Sequence, residues 1–210
     1  MGGSSFFDIS LLSRIRKWFK RIDRYSRIVD IGEISRRYFV INSFDGALSM
    51  IGVILGAKIA GIENPLSVIW LGLSIALTMG ISGFSGAYIA EKAERTRYIK
   101  EMEAALATKL TNSILNEACR TASFLIAVID ALSPVVVSLV SIIPFVLAYF
   151  GMLTMDAAVF LSLAIICALI FLLGAFLGRI SRESWAAYGL KMLVIGLITA
   201  AILVLVEHLR

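Results

Sequence analysis

Five stretches of the chain are apolar over lengths able to cross a bilayer, for which about 20 residues of helix suffice. They cover residues 38–60, 66–90, 132–153, 157–177 and 189–206. None shows the strict alternation of barrel strands, so all are predicted as α-helices, which satisfy their backbone N–H and C=O groups internally. Short polar turns at 61–65 and 154–156 predict tight hairpins on one side of the membrane. The connection 91–131 is long and charged at its start, and its part from 121 to 132 mixes apolar and polar groups. That mixture predicts an interfacial helix turning into the membrane near Asp130 and Pro134. Ahead of the first span, Leu11, Leu12, Ile15, Phe19, Ile22, Ile28 and Val29 recur at near-helical spacing, with Arg14, Lys17, Arg21 and Arg24 on the other face. Such a helix lies flat on an anionic membrane surface. The stretch lacks the apolar core and small-residue cleavage site of a signal peptide, and Asp8, Asp23 and Asp30 disfavour an organellar presequence. The predicted class is an all-α integral membrane protein with five transmembrane helices. Residues 1–37 form an amphipathic interfacial segment, and residues 38–210 form the membrane domain, including the connection 91–131.

Composition agrees with that class. Hydrophobic residues make up 59% of the chain and charged residues 17%, whereas about a quarter of an average soluble domain is charged. Single-domain soluble enzymes, nucleic-acid modules and disulfide-stapled secreted folds are therefore disfavoured. Cys119 and Cys167 are far apart and without a CxxC partner, as expected of inert thiols. The net charge of +5 is distributed unevenly. Nine of the 20 Lys and Arg residues precede Tyr38, six lie between Lys92 and Arg120, and Arg179, Arg182 and Lys191 flank the fourth connection, leaving Lys58 and Arg210 for the opposite side. By the positive-inside rule the N-terminus is cytoplasmic and the C-terminus outside. A prokaryotic plasma membrane is the expected location.

Polar groups inside the spans carry the candidate chemistry, because intramembrane charge is expensive and usually functional. Asp45 lies eight residues beyond Arg37, with no basic residue in its span placed to neutralise it, and is expected to be buried. Asn42, Asp45, Ser49, Gly52 and Gly56 share a face at spacings of three and four. Gly52 and Gly56 make a GxxxG pair that permits close helix approach, either to another copy or to span two. In span two, Ser74, Thr78, Ser82 and Ser85 form one stripe, with Met79 on a neighbouring stripe and Glu91 and Glu94 at the cytoplasmic end. Glu101 and Glu103 follow. Hard cations take oxygen ligands, and borderline metals also accept thioether sulfur. The transport path expected from these residues comprises Asp45, Asn42, Ser49, Met79 and Ser82. Its metal-binding groups are Asp45, Glu91, Glu94 and Met79, with Glu101 and Glu103 gathering ions. The alternatives are an interhelical hydrogen bond for Asp45 and a solvated, salt-bridged face for the glutamates. P-loops, HExxH motifs and nucleophile elbows are absent, so no enzyme activity is expected.

With FDG around Asp45, SGFSGAYIAEKAE closing span two, PVVVSLVSIIPFVL in span three and YGLKMLVIGLITAA in span five, the chain resembles the vacuolar iron transporter family from about Tyr38 onward. The resemblance implies a five-span homodimer that exchanges Fe²⁺ or Mn²⁺ for protons along a path between protomers, lined by spans one and two. It places Asp45 at the family's key aspartate. The family's methionine and glutamate before the span-two tyrosine are Gly83 and Ala87 here, and Met79 stands one helical turn earlier. The function expected is proton-coupled export of a divalent metal, with the ion as cargo and no permanently bound cofactor. The alternatives are a non-transporting membrane scaffold and an ion-coupled carrier of another solute. Expected partners are divalent ions, protons, the lipid bilayer and a second copy, and not nucleic acid.

Overall fold

The computed structural model describes residues 25–26, 28–111 and 113–208, so most of the predicted amphipathic N-terminal helix lies outside the described residues. Five helices follow in order: α1 (Ile31–Ile59), α2 (Pro65–Leu106), α3 (Ile114–Tyr149), α4 (Met155–Ile180) and α5 (Trp185–His208). Each is long and apolar enough to cross a membrane, and no strand occurs among the described residues.

The long charged connection is the main departure from expectation. α2 runs for 42 residues, about 63 Å at the helical rise, roughly twice the ~30 Å hydrocarbon core. α3 already begins at Ile114 and continues through Pro134, so residues 121–132 are no separate interfacial helix. Only residues 107–113 link the two helices. Strong helix formers explain the extension, supported by ion pairs one turn apart: Glu91 with Arg95 at 3.2 Å and Arg97 with Glu101 at 3.3 Å.

Four of the helices end in the same way. A left-handed residue follows the last turn, and the next N–H reaches back five residues: Ile62 to Ala57 after Gly61, and Met152 to Leu147 after Gly151. Thr108 reaches Glu103 after Ala107, and Glu183 reaches Gly178 after Arg182. These Schellman closures satisfy carbonyls that the helix leaves open. Glycine adopts that conformation freely at 61 and 151, whereas Ala107 and Arg182 adopt it at a steric cost. Asn64 and Pro65 start α2, with the Asn64 Oδ1 accepting from the Leu66 N–H at 2.9 Å.

The chain divides into two compact units, with borders inside α1, α2 and α3. The first comprises Arg37–Phe84 and Ile129–Arg210. Close approaches set its topology. Gly46 of α1 lies against Pro134, its would-be Cβ 2.9 Å from the Pro134 Cα, so α1 and α3 run parallel with Asn42 opposite Asp130. Gly72, Gly80 and Gly83 of α2 meet Ile142, Val135 and Ala131, an antiparallel pairing. The α4–α5 hairpin is tightest: Gly174 faces the Tyr188 carbonyl and Gly189, while Gly178 faces Trp185. Backbones approach this closely only where side chains are missing. Phe145, Met50, Ile54, Ile166, Ile170 and Val68 fill the core. α3 is the central helix, with half of its most apolar window buried, against 17% for α2 and 11% for α5.

The second unit comprises Ser85–Val128 with the described residues before Arg37. The Tyr25 hydroxyl donates to Glu117 Oε2 at 2.7 Å, joining its two segments.

Candidate functional site

Packing decides where the polar groups of α1 point. Ser43, Gly46, Ala47, Met50, Ile54 and Ala57 are buried, at the three-and-four spacing of a helix face. That buried face turns Asp45 outward. Its carboxylate is exposed, with no hydrogen bond or ion pair among the described residues, which corrects the expectation that it is buried. Gly46 on Pro134 fixes this rotation. Ser49 and Gly52 are half-buried and Gly56 is exposed along the same open side. A Cβ at Gly52 or Gly56 would meet nothing within 4 Å, so this glycine pair does not pack against α2 in the same chain. Among the described residues, a carboxylate without an ion pair or hydrogen bond, a hydroxyl and two glycines thus form an uncovered stripe on α1.

Asn42, one turn before Asp45, turns the other way. Its Nδ2 donates to the Tyr38 carbonyl at 3.1 Å and to Asp130 Oδ1. Asp130 is only 4% exposed. Its Oδ2 lies 3.0 Å from the would-be Cβ of Gly83, so α2 comes close enough to cover the carboxylate only because position 83 has no side chain. Four residues on, Pro134 has no N–H to offer the Asp130 carbonyl. A carboxylate and a carbonyl at one buried residue therefore sit between three helices. Asp130 is thus a site residue outside the path expected from the sequence. The available signal was a carboxylate four residues before a proline, inside an apolar stretch.

The α2 stripe is surface. Ser74, Thr78, Ser82 and Ser85 are exposed and Met79 is half-buried. Ser74 and Thr78 donate to the carbonyls one turn back, at Trp70 and Ser74, each at 2.8 Å, which leaves their oxygen lone pairs outward. Of the glutamates, Glu91 pairs with Arg95, while Glu94 and Glu101 pair with Arg97. Glu103 accepts from the Leu110 N–H at 2.7 Å, tying the end of α2 to the link that follows. Among the described residues no three His, Cys, Asp or Glu side chains are grouped to hold a metal. What the fold brings together is Asn42, Asp130 and Gly83. Asp45, Ser49 and the two glycines are left open beside them.

No protein-family model matches the chain, and no solved structure matches it. Over 175 residues it is 33% identical to uncharacterized protein MJ0645 of Methanocaldococcus jannaschii, a match covering 82% of this chain and 87% of that protein.

Proposed function

The chain belongs to the same family as the Methanocaldococcus jannaschii protein MJ0645, and we propose that it is a transporter of divalent metal cations, exporting Fe²⁺ or Mn²⁺ from the cytoplasm in exchange for protons. The observation that carries this reading is Asp45: an unpaired carboxylate on an open stripe of α1, a helix apolar enough to cross a membrane. Lipid is a poor neighbour for such a group, and intramembrane carboxylates that persist mark ion pathways. A second copy of the chain is the proposed cover. Gly52 and Gly56 then let two α1 helices approach across a twofold axis, and the two Asp45 carboxylates with the Ser49 hydroxyls offer oxygen ligands to a hard cation.

The resemblance to vacuolar iron transporters, carried by the FDG around Asp45 and the close of α2, supports the same assignment. Where that resemblance calls for a methionine, Gly83 stands with the Asp130 carboxylate beside it. The departure therefore replaces a thioether with an oxygen group held nearby. Exchange needs little more than competition. Asp45 binds a cation only when deprotonated, so a proton taken up after metal release resets the site and returns inward with it. Glu91 and Glu94, on the side that the basic residues assign to the cytoplasm, gather ions when their arginine partners yield them.

The buried Asn42–Asp130 pair favours a second reading, an ion-coupled carrier of another solute with Asp130 as the coupling group. Purified protein in proteoliposomes, screened for flux of Fe²⁺, Mn²⁺, Co²⁺, Zn²⁺ and Ca²⁺ with a pH dye in the lumen, separates the two. Metal movement with opposite proton movement is expected. Proton movement without any of the five metals would favour the second reading.

A further inference from the structure

The second unit contains a cavity of about 290 Å³ between α2 and α3, lined by residues of 88–96 and 116–123. Lys92, Arg95 and Arg120 line it, and among the described residues no carboxylate does. Arg95 is nine-tenths buried. Glu91, one turn earlier, lies 3.2 Å from its Nη2 but out of line for a hydrogen bond, and the Cys119 thiol, which also lines the cavity, is the other group beside the guanidinium, so among the described residues neither Nε nor Nη2 has a well-aligned hydrogen-bond partner. These two atoms form one edge of the guanidinium fork, the edge that grips two oxygens of a single oxyanion. A buried donor left unsatisfied is costly, and Arg95 lines a cavity that also presents Thr96, Asn116 and Ser123. Among the described residues three cations line the cavity and no carboxylate does, an imbalance that an anion of charge one or two corrects.

We propose that this cavity binds a phosphate group, with the Arg95 guanidinium as its central donor and Lys92 and Arg120 completing its charge. An adjoining groove of about 550 Å³ shares Lys92 and Thr96 with the cavity and is walled by Ile89 and Ala93. Ile89 is 67% exposed. The groove gives the remainder of a phosphate-bearing molecule an apolar place to lie. Two sources offer this chemistry: free phosphate or its small esters, and the headgroup of an anionic phospholipid.

The test uses the full chain in detergent without added metal, so its outcome is independent of transport. One arm titrates sodium phosphate by calorimetry against sodium chloride of matched ionic strength. The other extracts protein from vesicles of equal phosphatidylglycerol and phosphatidylcholine and measures retained phosphatidylglycerol by native mass spectrometry. Arg95→Gln is expected to weaken binding by about tenfold or more. Arg120→Gln, at an exposed position, weakens it without disturbing the buried pair, and Lys109→Gln, outside the cavity, leaves it unchanged. Arginine-dependent binding of phosphate identifies a soluble ligand, and arginine-dependent retention of phosphatidylglycerol alone identifies the lipid. Binding of neither probe, or equal binding by wild type, Arg95→Gln and Arg120→Gln, overturns the proposal.

Discussion

The Asn42–Asp130 pair can be isolated by a double-mutant cycle. Asp130 is 4% exposed and accepts from the Asn42 amide, so Asn42→Leu strands a buried acceptor and Asp130→Leu strands a half-buried donor. Each loss is expected to cost about 1–3 kcal/mol, the penalty of leaving one polar partner unpaired. Leucine has nearly the branched shape of both residues, so the double variant replaces the polar pair by an apolar contact of similar volume and recovers much of the loss. The coupling energy is then at least ~1 kcal/mol. Unfolding free energies from SDS titration in mixed micelles, followed by tryptophan fluorescence, measure it. Costs that add to within about 0.5 kcal/mol would refute the pairing. Asp45→Asn serves as the comparison, because a side chain that is exposed in the single chain and has no partner among the described residues leaves the stability of the monomer unchanged.

Gly174→Ala places a Cβ 2.6 Å from the Tyr188 carbonyl oxygen and 2.7 Å from the Gly189 Cα. Neither backbone atom can rotate aside, so α4 and α5 separate, at a cost of about 1–3 kcal/mol in the same unfolding assay; an unchanged midpoint would contradict the hairpin packing. At Gly52 a Cβ meets nothing within 4 Å among the described residues, so Gly52→Leu spares the unfolding midpoint of the monomer but lowers the dimer fraction measured by light scattering in detergent. A dimer of undiminished strength would place the contact elsewhere.

The five long apolar helices were legible because each is long and apolar enough to cross a bilayer, and such runs stand out in a sequence. Helix ends were less so. EKAERTRYIKEMEAAL looks like a connection by its charge, yet Glu91, Arg95, Arg97 and Glu101 stabilise a helix at their spacing. The rotation of α1 was not legible at all. Asn42, Asp45 and Ser49 share a broad polar side in sequence, and only the contact of Gly46 with Pro134 sends the first toward α3 and the second outward. Likewise Gly52–Gly56 and Gly174–Gly178 are equal as GxxxG patterns. Among the described residues only the second pair finds a neighbour, because α4 and α5 form a tight hairpin.

The central claim rests on the Asp45 carboxylate, and metal uptake by proteoliposomes carrying Asp45→Asn tests it most directly. Asparagine keeps the size and the hydrogen-bonding capacity of the side chain but cannot carry a negative charge or exchange a proton. Wild-type protein is expected to move Fe²⁺ or Mn²⁺ with opposite proton flow, and Asp45→Asn to move neither above the empty-liposome rate while folding and inserting as before. Metal flux with proton counterflow at the wild-type rate in Asp45→Asn would contradict the account.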